Sequence, residues 1–179
     1  MQRPDEELMG AVAEGDLGAF ETLVLHHRHR AWNVAYRFLR DAMEAEDVAQ
    51  EAFIRVLDAA PRYRPTAAFR TWFYRIVVRL CIDRSRKARP VSAADPPEVA
   101  DRSPDPAESL MSRQMQAALI EALRGLPGRQ RAAVILKHYE GLSYLEIAKA
   151  LDLSPKAVEG LLSRARETLR IRLTGTLEK

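Results

Sequence analysis

Half of the chain's ten prolines lie in one stretch, ARPVSAADPPEVADRSPDPAE, at residues 88–108. This stretch lacks the apolar spacing of a helix, so it predicts a linker. On both sides of it, apolar residues recur at intervals of three and four, and strand-like alternation is missing. The sequence therefore predicts an all-α protein with two small helical domains, at residues 1–88 and 109–179, joined by a flexible linker at 89–108.

Apolar spacing and turn residues place the individual helices. In the first domain they predict helices over residues 8–14, 17–25, 29–39, 41–60 and 69–87, and in the second over 110–124, 128–139, 143–150 and 155–172. Asp16 and Ser154 are the expected N-caps of the helices that follow them. Asp152 stands in a tight turn and is expected to adopt the left-handed conformation that Asp tolerates.

Composition limits the class of protein. Hydrophobic residues make up 47% and charged residues 30% of the chain, as in a folded globular protein. The single cysteine, Cys81, lies in an apolar stretch, so a buried structural thiol is expected rather than a redox switch. No apolar run approaches the roughly 20 residues that span a bilayer, and the N-terminus lacks the apolar middle of a signal peptide. A cytoplasmic protein without membrane insertion is expected.

The segment SYLEIAKALDLSPKAVEGLLSRARETLR (143–170) has the pattern of a helix-turn-helix unit. Apolar residues lie on both helices, and the small residue Ala148 stands where the helices cross. A plain helical hairpin without a DNA role has the same spacing. The second helix favours DNA binding, because the N-terminal half of such a helix lies on base edges in the major groove. The residues that face outward there are Lys156, Glu159, Gly160 and Ser163.

The stretch FRTWFYRIVVRLCIDRSRK (69–87) combines aromatic and basic residues. Between Phe69 and Arg89, seven Lys and Arg residues stand against one acid, a cluster typical of proteins with a polyanionic partner. Helical spacing predicts a core face made of Phe69, Trp72, Phe73, Ile76, Val77 and Leu80. It predicts an outward face made of Arg70, Thr71, Tyr74, Arg75, Val78, Arg79, Asp83 and Arg86. One outward aromatic flanked by arginines suits stacking of unpaired bases, and the preceding loop at 63–66 is suited to hold a flipped base.

The helix predicted over 41–60 carries an acidic face. Its core side is expected to consist of Val48, Ala49, Ala52, Phe53, Val56 and Leu57. Its outward stripe then contains Asp47, Gln50, Glu51 and Ile54. DNA repels such a face, and the exposed isoleucine suits a protein partner. An ordinary solvated acidic face explains the pattern equally well, so both interpretations stay open at this point.

Four pieces of the chain together resemble a known family. They are AEDVAQEAFIRV (45–56), FRTWFYRIVVRLCID (69–83), LPGRQRAAVILKHYEGLSYLEIAKAL (126–151) and LSPKAVEGLLSRARETLR (153–170). In this order, with a variable linker between the second and the third, they resemble bacterial RNA polymerase sigma factors of the extracytoplasmic-function (ECF) type. The resemblance covers nearly the whole chain and implies a sigma-two-like first domain and a sigma-four-like second domain.

The resemblance implies a role for each piece. It implies that the acidic helix binds the β′ clamp helices of core RNA polymerase through Asp47, Gln50, Glu51 and Ile54. It implies that the first domain melts and reads the minus-ten promoter element as single-stranded DNA through Tyr63, Arg64, Thr66, Arg70, Thr71, Tyr74, Arg75, Arg79 and Arg86. The second domain is expected to pack on the β flap and to read the minus-thirty-five element as duplex DNA through Ser154, Lys156, Ala157, Glu159, Gly160, Ser163, Arg164 and Arg166.

The family also implies regulation. Many members are held inactive by a dedicated anti-sigma factor, so such a partner is expected, and the free protein is expected to bind promoter DNA poorly. Two positions depart from the family's pattern. Arg79 stands where the family often has Asn, and Glu159-Gly160-Leu161 replaces a more basic, polar run. The preferred promoter sequence therefore does not follow from the resemblance.

Two other classes of protein explain less of the sequence. A stand-alone helix-turn-helix regulator with a helical sensing domain explains residues 126–172 but not the acidic helix beside the aromatic and basic one. An enzyme is not expected, because the sequence shows no nucleotide-binding glycine loop, zinc spacing or nucleophile motif. His26, His27 and His29 lie close together without a carboxylate or cysteine pattern, so solvated or partly packed positions are expected for them. No cofactor and no metal are expected.

Overall fold

The computed structural model describes residues 3–87 and 106–177, with the side chains of the second part described from Met115 to Thr174. In this described part every regular element is a helix, which confirms the all-α prediction. The predicted linker at 89–108 lies outside the described residues up to residue 105, and a helix already begins at Pro106. The predicted domain boundaries therefore stay a prediction. None of the described helices is long and apolar enough to cross a membrane.

The first bundle precedes the proline-rich stretch. It consists of α1 (Asp5–Ala13), α2 (Leu17–Leu39), α3 (Ala42–Ala59), a 3-10 turn (Ala60–Arg62) and α4 (Phe69–Lys87). α2 packs along α3, α4 packs against both, and α1 closes on α2 and the 3-10 turn. Phe38, Phe69 and Phe73 are among the largest side chains that this core buries completely.

The stretch from Leu17 to Leu39 forms one helix, so the prediction of separate helices over 17–25 and 29–39 is wrong. The chain has neither proline nor glycine between Leu25 and His29, so nothing local ends the helix. Leu23, His27 and Ala31 are buried at four-residue intervals across the expected break. One continuous stripe therefore packs the whole length of α2 onto the bundle.

The second bundle contains α5 (Pro106–Arg124), α6 (Gly128–His138), α7 (Tyr144–Leu151) and α8 (Pro155–Leu177). α8 packs against α5, α6 and α7, and α6 packs against α7. Ile135, Leu142 and Ile147 are completely buried.

The predicted caps are present. The Asp16 side chain accepts a hydrogen bond from Ala19 N at 3.0 Å. Between α7 and α8, Asp152 has φ 57°, in the left-handed region predicted for it. Ser154 Oγ accepts from Ala157 N at 3.2 Å at the start of α8. Ser143 and Glu146 form a capping box that fixes the start of α7. These local contacts fix the positions at which the helices begin and at which α7 ends.

The two bundles pack against each other. α7 lies on α4, and α6 contacts both α2 and α4. Arg131 of α6 donates to the carbonyl oxygen of Phe38 at 2.9 Å and lies over the Phe38 ring, 4.8 Å from its centroid. Arg37 of α2 lies over the Tyr139 ring at 4.5 Å. The protein is therefore closed, with the second bundle covering part of the first.

Candidate nucleic-acid and protein interfaces

The recognition helix α8 has the faces that its sequence predicts. Val158, Leu162 and Ala165 are buried, and Leu161 is half-buried. The side chains predicted to contact duplex DNA lie on the other side: Ser154, Lys156, Glu159, Ser163, Arg164 and Arg166 are exposed, and Ala157 and Gly160 are half-buried. An open hollow between α7 and the start of α8 is lined by Lys149, Ser154 and Ala157, among others. The first turns of α8 are thus accessible to a duplex.

The outward face predicted for α4 is only partly exposed. Arg79, Asp83 and Arg86 are exposed, and Arg70 and Arg75 are half-buried. By contrast, Thr71, Tyr74 and Val78 are 2%, 1% and 2% exposed. The prediction that these three side chains face outward is therefore wrong for the closed protein. α4 packs against α6 and α7 of the second bundle, and Tyr74 contacts Glu140 there.

Polar contacts hold α4 to the second bundle. The Tyr74 hydroxyl donates a hydrogen bond to the Glu140 carboxylate, which lies 66 residues away in sequence. Burial, and next this hydrogen bond, raise the pKa of Tyr74. Arg70 pairs with Glu146 at 3.5 Å. Tyr74 and Arg70, two of the side chains that the sequence assigns to DNA, are thus held by carboxylates of the second bundle.

Arg75 makes a third contact of this kind, because its guanidinium lies 3.4 Å from the Asp152 carboxylate. Asp152 is the same residue that forms the left-handed turn of the helix-turn-helix. The sequence does not predict these contacts between α4 and the second bundle, because the periodicity of one helix does not show which of its faces another domain covers.

The loop before α4 joins an aromatic cluster. The Tyr63 ring lies 4.9 Å from the Trp72 ring and 6.4 Å from the Phe69 ring, edge-on to both. Tyr63 is half-buried, while Arg64 and Thr66 are exposed. Its hydroxyl is buried, and no described residue accepts or donates a hydrogen bond to it. The surface predicted to bind single-stranded DNA thus consists of an accessible loop before α4 and of α4 itself, which the second bundle partly covers.

The acidic face of α3 is exposed as predicted. Asp47 and Gln50 are exposed, Glu51 is half-buried, and the Ile54 side chain is 55% exposed. Leu57 was expected in the core, but it is 40% exposed. The buried stripe of α3 contains Val48, Ala52 and Val56, and Leu57 lies about 100° around the helix from the last of these.

Several of these charges have partners within the first bundle. Arg84 of α4 lies 2.6 Å from Glu44 and 3.5 Å from Asp47. Glu51 pairs with Arg55 one turn later, at 3.0 Å. Ile54 is 55% exposed on the same face of α3, and such a mixture of apolar and charged side chains is typical of a protein interface.

A cluster that the sequence did not reveal joins α1 to α2. The Asp5 carboxylate lies 2.7 Å from His27 Nε2 and 3.1 Å from His26 Nδ1. His27 is only 5% exposed, and burial lowers its pKa although the hydrogen bond to Asp5 acts in the opposite direction. The prediction of a solvated or partly packed position is therefore wrong for His27. The partner that completes this cluster, Asp5, stands 21 and 22 residues before the two histidines, so no local pattern shows it.

Cys81 is completely buried in α4. Burial raises the pKa of its thiol to about 12. A thiol in this state is neither a nucleophile nor a ready target for oxidation at neutral pH. The prediction of a buried structural cysteine agrees with this position.

Two family models match the chain. The one described as Sigma-70 region 2 matches residues 23–91, and the one described as Sigma-70, region 4 matches residues 116–169. The ECF RNA polymerase sigma factor SigW of Bacillus subtilis is 31% identical to the chain, over 90% of this chain and 92% of SigW. The chain belongs to the ECF sigma factors. This sigma factor therefore binds core RNA polymerase and directs it to promoters, and a stand-alone regulator is not favoured.

Other relatives agree with this assignment. The RNA polymerase sigma-H factor of Pseudomonas aeruginosa is 33% identical to this sigma factor, over 94% of this chain and 93% of the relative. The structure of CnrH in complex with the cytosolic domain of CnrY has 28% sequence identity and a TM-score of 0.73. It covers 96% of this chain and 97% of CnrH. The similarity thus spans both bundles.

Proposed function

We propose that α3 is the surface by which this sigma factor binds the β′ clamp helices of core polymerase. Asp47, Gln50 and Glu51 supply polar contacts, and Ile54 supplies the apolar contact that excludes water. The exposure of Ile54 between charged neighbours supports this role. A half-exposed isoleucine gains free energy when a partner covers it, whereas a purely solvated face has no use for one.

The loop at 63–68 and α4 receive the minus-ten element as a single strand. Tyr63, Arg64 and Thr66 form the loop side of this surface. The helix side consists of Arg70, Thr71, Tyr74, Arg75, Arg79 and Arg86. Stacking on aromatic side chains and phosphate contacts offset the few kcal/mol, roughly, that unstacking of a base costs. The aromatic cluster around Tyr63 and the exposed arginines support this assignment.

The second domain reads the minus-thirty-five element and packs on the β flap. Lys156, Glu159 and Ser163 face base edges from the first turns of α8, with Ser154, Ala157 and Gly160 close to the DNA. Arg164 and Arg166 contact phosphates, which position the helix without specifying sequence. The exposed first turns of α8 support this docking mode.

The observation that carries most of this proposal is the pairing of α4 with carboxylates. Arg70 and Arg75 lie against Glu146 and Asp152, so side chains suited to phosphates are held by acidic groups while the protein is closed. Tyr74, which is suited to stack on a base, is buried and donates its hydrogen bond to Glu140 of the second bundle. Binding of core polymerase separates the two domains and frees this face, so the free protein binds promoter DNA poorly.

The residues between α4 and α5 connect the two domains during this separation. The 18 residues from 88 to 105 reach at most roughly 59–65 Å when fully extended. Two helical turns of DNA span roughly 68–72 Å, so this reach together with the width of the domains themselves is enough for contacts with separate promoter elements. The protein works in the cytoplasm, where core polymerase acts, and supplies no catalytic chemistry of its own.

An anti-sigma factor controls the activity. The family resemblance supports this partner, and CnrH, which has the same fold, is in complex with the cytosolic domain of CnrY. A sigma factor of Bartonella quintana, RpoE, is in complex with the anti-sigma factor NepR; at 20% identity its likeness to this chain concerns the fold alone. An anti-sigma factor that stabilises the closed arrangement keeps the single-strand face covered.

Reconstitution with bacterial core polymerase tests the proposal. We expect stable binding to core. We also expect the thymines of promoter DNA to react with permanganate only when core and this protein are both present. Binding to a specific duplex without any affinity for core would instead support a stand-alone regulator.

A further inference from the structure

The N-terminal helix α1 holds the start of α4 from outside the DNA-contacting surface. Glu6 Oε1 accepts a hydrogen bond from Phe69 N at 2.7 Å, over a separation of 63 residues. The first N–H groups of a helix have no partner within the helix, and a carboxylate there also interacts favourably with the helix dipole. Glu6 therefore caps a helix that lies far from it in sequence.

A second set of contacts restrains the same first turn of α4. The Asp5 carboxylate holds His27 Nε2 at 2.7 Å, and the His27 ring lies 5.0 Å from the Phe69 ring and 5.7 Å from the Phe73 ring. His27 is buried, so this ring is a fixed support under the first turn of α4. Two neighbouring acids of α1 thus restrain the backbone and the side chain of Phe69.

The restrained turn adjoins the loop at 63–68. α1 also packs on the 3-10 turn that leads into this loop. The Tyr63 ring contacts the Phe69 ring edge-on at 6.4 Å, and burial together with the charges of Glu6 and Asp5 raises the pKa of Tyr63 to about 12. Both ends of the loop therefore rest on α1, and the loop's only described aromatic residue lies close to the same acids.

Asp5, His26 and His27 have the ligand types of a cation site, and their ligand atoms lie within 4.8 Å of one another. Two features favour a hydrogen-bonded cluster over a cation site. The carboxylate already contacts both rings directly. Arg3 and Arg30 line the same hollow, and their positive charges oppose a bound cation.

We propose that Glu6 is a positioning residue for promoter opening, which holds the loop at 63–68 and the first turn of α4 in the geometry that receives an unpaired base. Asp5 supports it by fixing His27. This role rests on the proposed function of the loop, and it gives α1 a part in DNA melting through the position of that loop.

The test uses the full chain bound to core polymerase. Glu6→Ala removes the acceptor, Glu6→Gln keeps a carbonyl acceptor, and Glu7→Ala changes the exposed neighbour as a matched control. At equal core occupancy, Glu6→Ala should lower open-complex formation, scored by permanganate, roughly 2- to 30-fold, the range for loss of a helix cap. Glu6→Gln and Glu7→Ala should open the promoter like the wild type.

Binding to separate DNA probes distinguishes positioning from general loss of structure. Affinity of the polymerase complex for a single-stranded minus-ten oligonucleotide should fall with Glu6→Ala, while affinity for a minus-thirty-five duplex stays unchanged. Equal loss for both probes, or a loss of core binding that accounts for the whole defect, would overturn the proposal. Normal opening by Glu6→Ala at equal core occupancy would overturn it as well.

A variant with a smaller change covers the case in which Glu6→Ala does not fold. Glu6→Asp keeps the charge but is one methylene shorter, so an intermediate loss of opening is expected, and wild-type opening would contradict the role of the hydrogen bond. Failure of the proposed function itself looks different, because the wild-type protein would then show no core-dependent opening at all.

Discussion

Replacing Glu140 by alanine should shift this sigma factor from the closed to the open arrangement. The Tyr74 hydroxyl is buried in the closed protein and donates its hydrogen bond to Glu140. Without that carboxylate the donor stays buried and unpaired, which costs about 1–3 kcal/mol. When the domains separate, water solvates the hydroxyl, so the cost falls on the closed arrangement alone.

The size of the shift follows from this cost. About 1–3 kcal/mol lowers the ratio of closed to open protein roughly 5- to 140-fold. The other two polar contacts are weaker targets. The side chains of the Arg70–Glu146 pair are 35% and 34% exposed, and those of the Arg75–Asp152 pair are 43% and 72% exposed. Each such pair contributes only about 0–1 kcal/mol.

Affinity of the free protein for single-stranded DNA reports the shift. A ligand that binds only the open protein has its apparent affinity reduced by the open fraction, so Glu140→Ala should tighten binding by the same factor as long as most molecules stay closed. Fluorescence anisotropy measures this affinity with a single-stranded minus-ten oligonucleotide in the absence of polymerase.

The matched control is Glu167→Ala, which removes the same charge from the same domain. Glu167 is exposed on α8 and pairs with Arg170, away from α4. An unchanged affinity for Glu140→Ala would refute the reasoning. An equal gain for both variants would refute it too, since the lost acidic charge, rather than the opened contact, would then explain the binding.

Three further predictions follow from single side chains. Ile54→Ala should weaken core binding roughly fivefold, because about 1 kcal/mol of apolar burial is lost, and should leave the melting temperature unchanged because the side chain is 55% exposed. The free energy of unfolding, from urea titrations at pH 7 and pH 5.5 (roughly either side of the ordinary histidine pKa), should fall on acidification. The pKa of His27 is lowered in the folded state, so the unfolded chain binds its proton first, and His27→Gln should remove most of this pH dependence. Cys81, whose pKa is raised to about 12, should react with a disulfide reagent only when the protein unfolds; rapid reaction of the native protein would contradict its burial.

Local structure was predictable wherever the signal is local. The helix over 69–87 has the bounds that its apolar spacing predicts, and Asp16, Asp152 and Ser154 take the cap and turn positions that their side chains favour. A cap depends on a residue and its neighbours within one turn. Helix bounds, caps and turns of this kind do not depend on the tertiary arrangement, so they are predictable without knowledge of the fold.

The faces of α4 were predictable only in part, because packing between domains is not local. Helical spacing identified Phe69 and Phe73 as core residues, and both are buried. It placed Thr71 and Tyr74 on a free face, because one helix's periodicity identifies one apolar stripe and treats the rest as solvated. The second domain covers that face through Glu140, 66 residues away from Tyr74. A polar side chain that pairs across domains looks, in sequence, like one that faces water.

The contacts of the α1 acids Asp5 and Glu6 were likewise not predictable from the sequence. The helix predicted over residues 8–14 left Asp5 and Glu6 outside it, whereas α1 begins at Asp5 and has both acids in its first turn. Their contacts with Phe69 and His27 depend on how α1 packs against α2 and the 3-10 turn. The sequence contains the residues of this support, but only the fold brings them together.

The distance between the two domains, in the free protein and in the complex with core polymerase, tests the central claim most directly. Spin labels on Arg28→Cys in α2 and Lys149→Cys in α7, both exposed positions, are suited to this measurement, and the buried Cys81 stays unlabelled. The account predicts one short, narrow distance distribution for the free protein and a longer distance when core is bound. The same short distance in both states would contradict it.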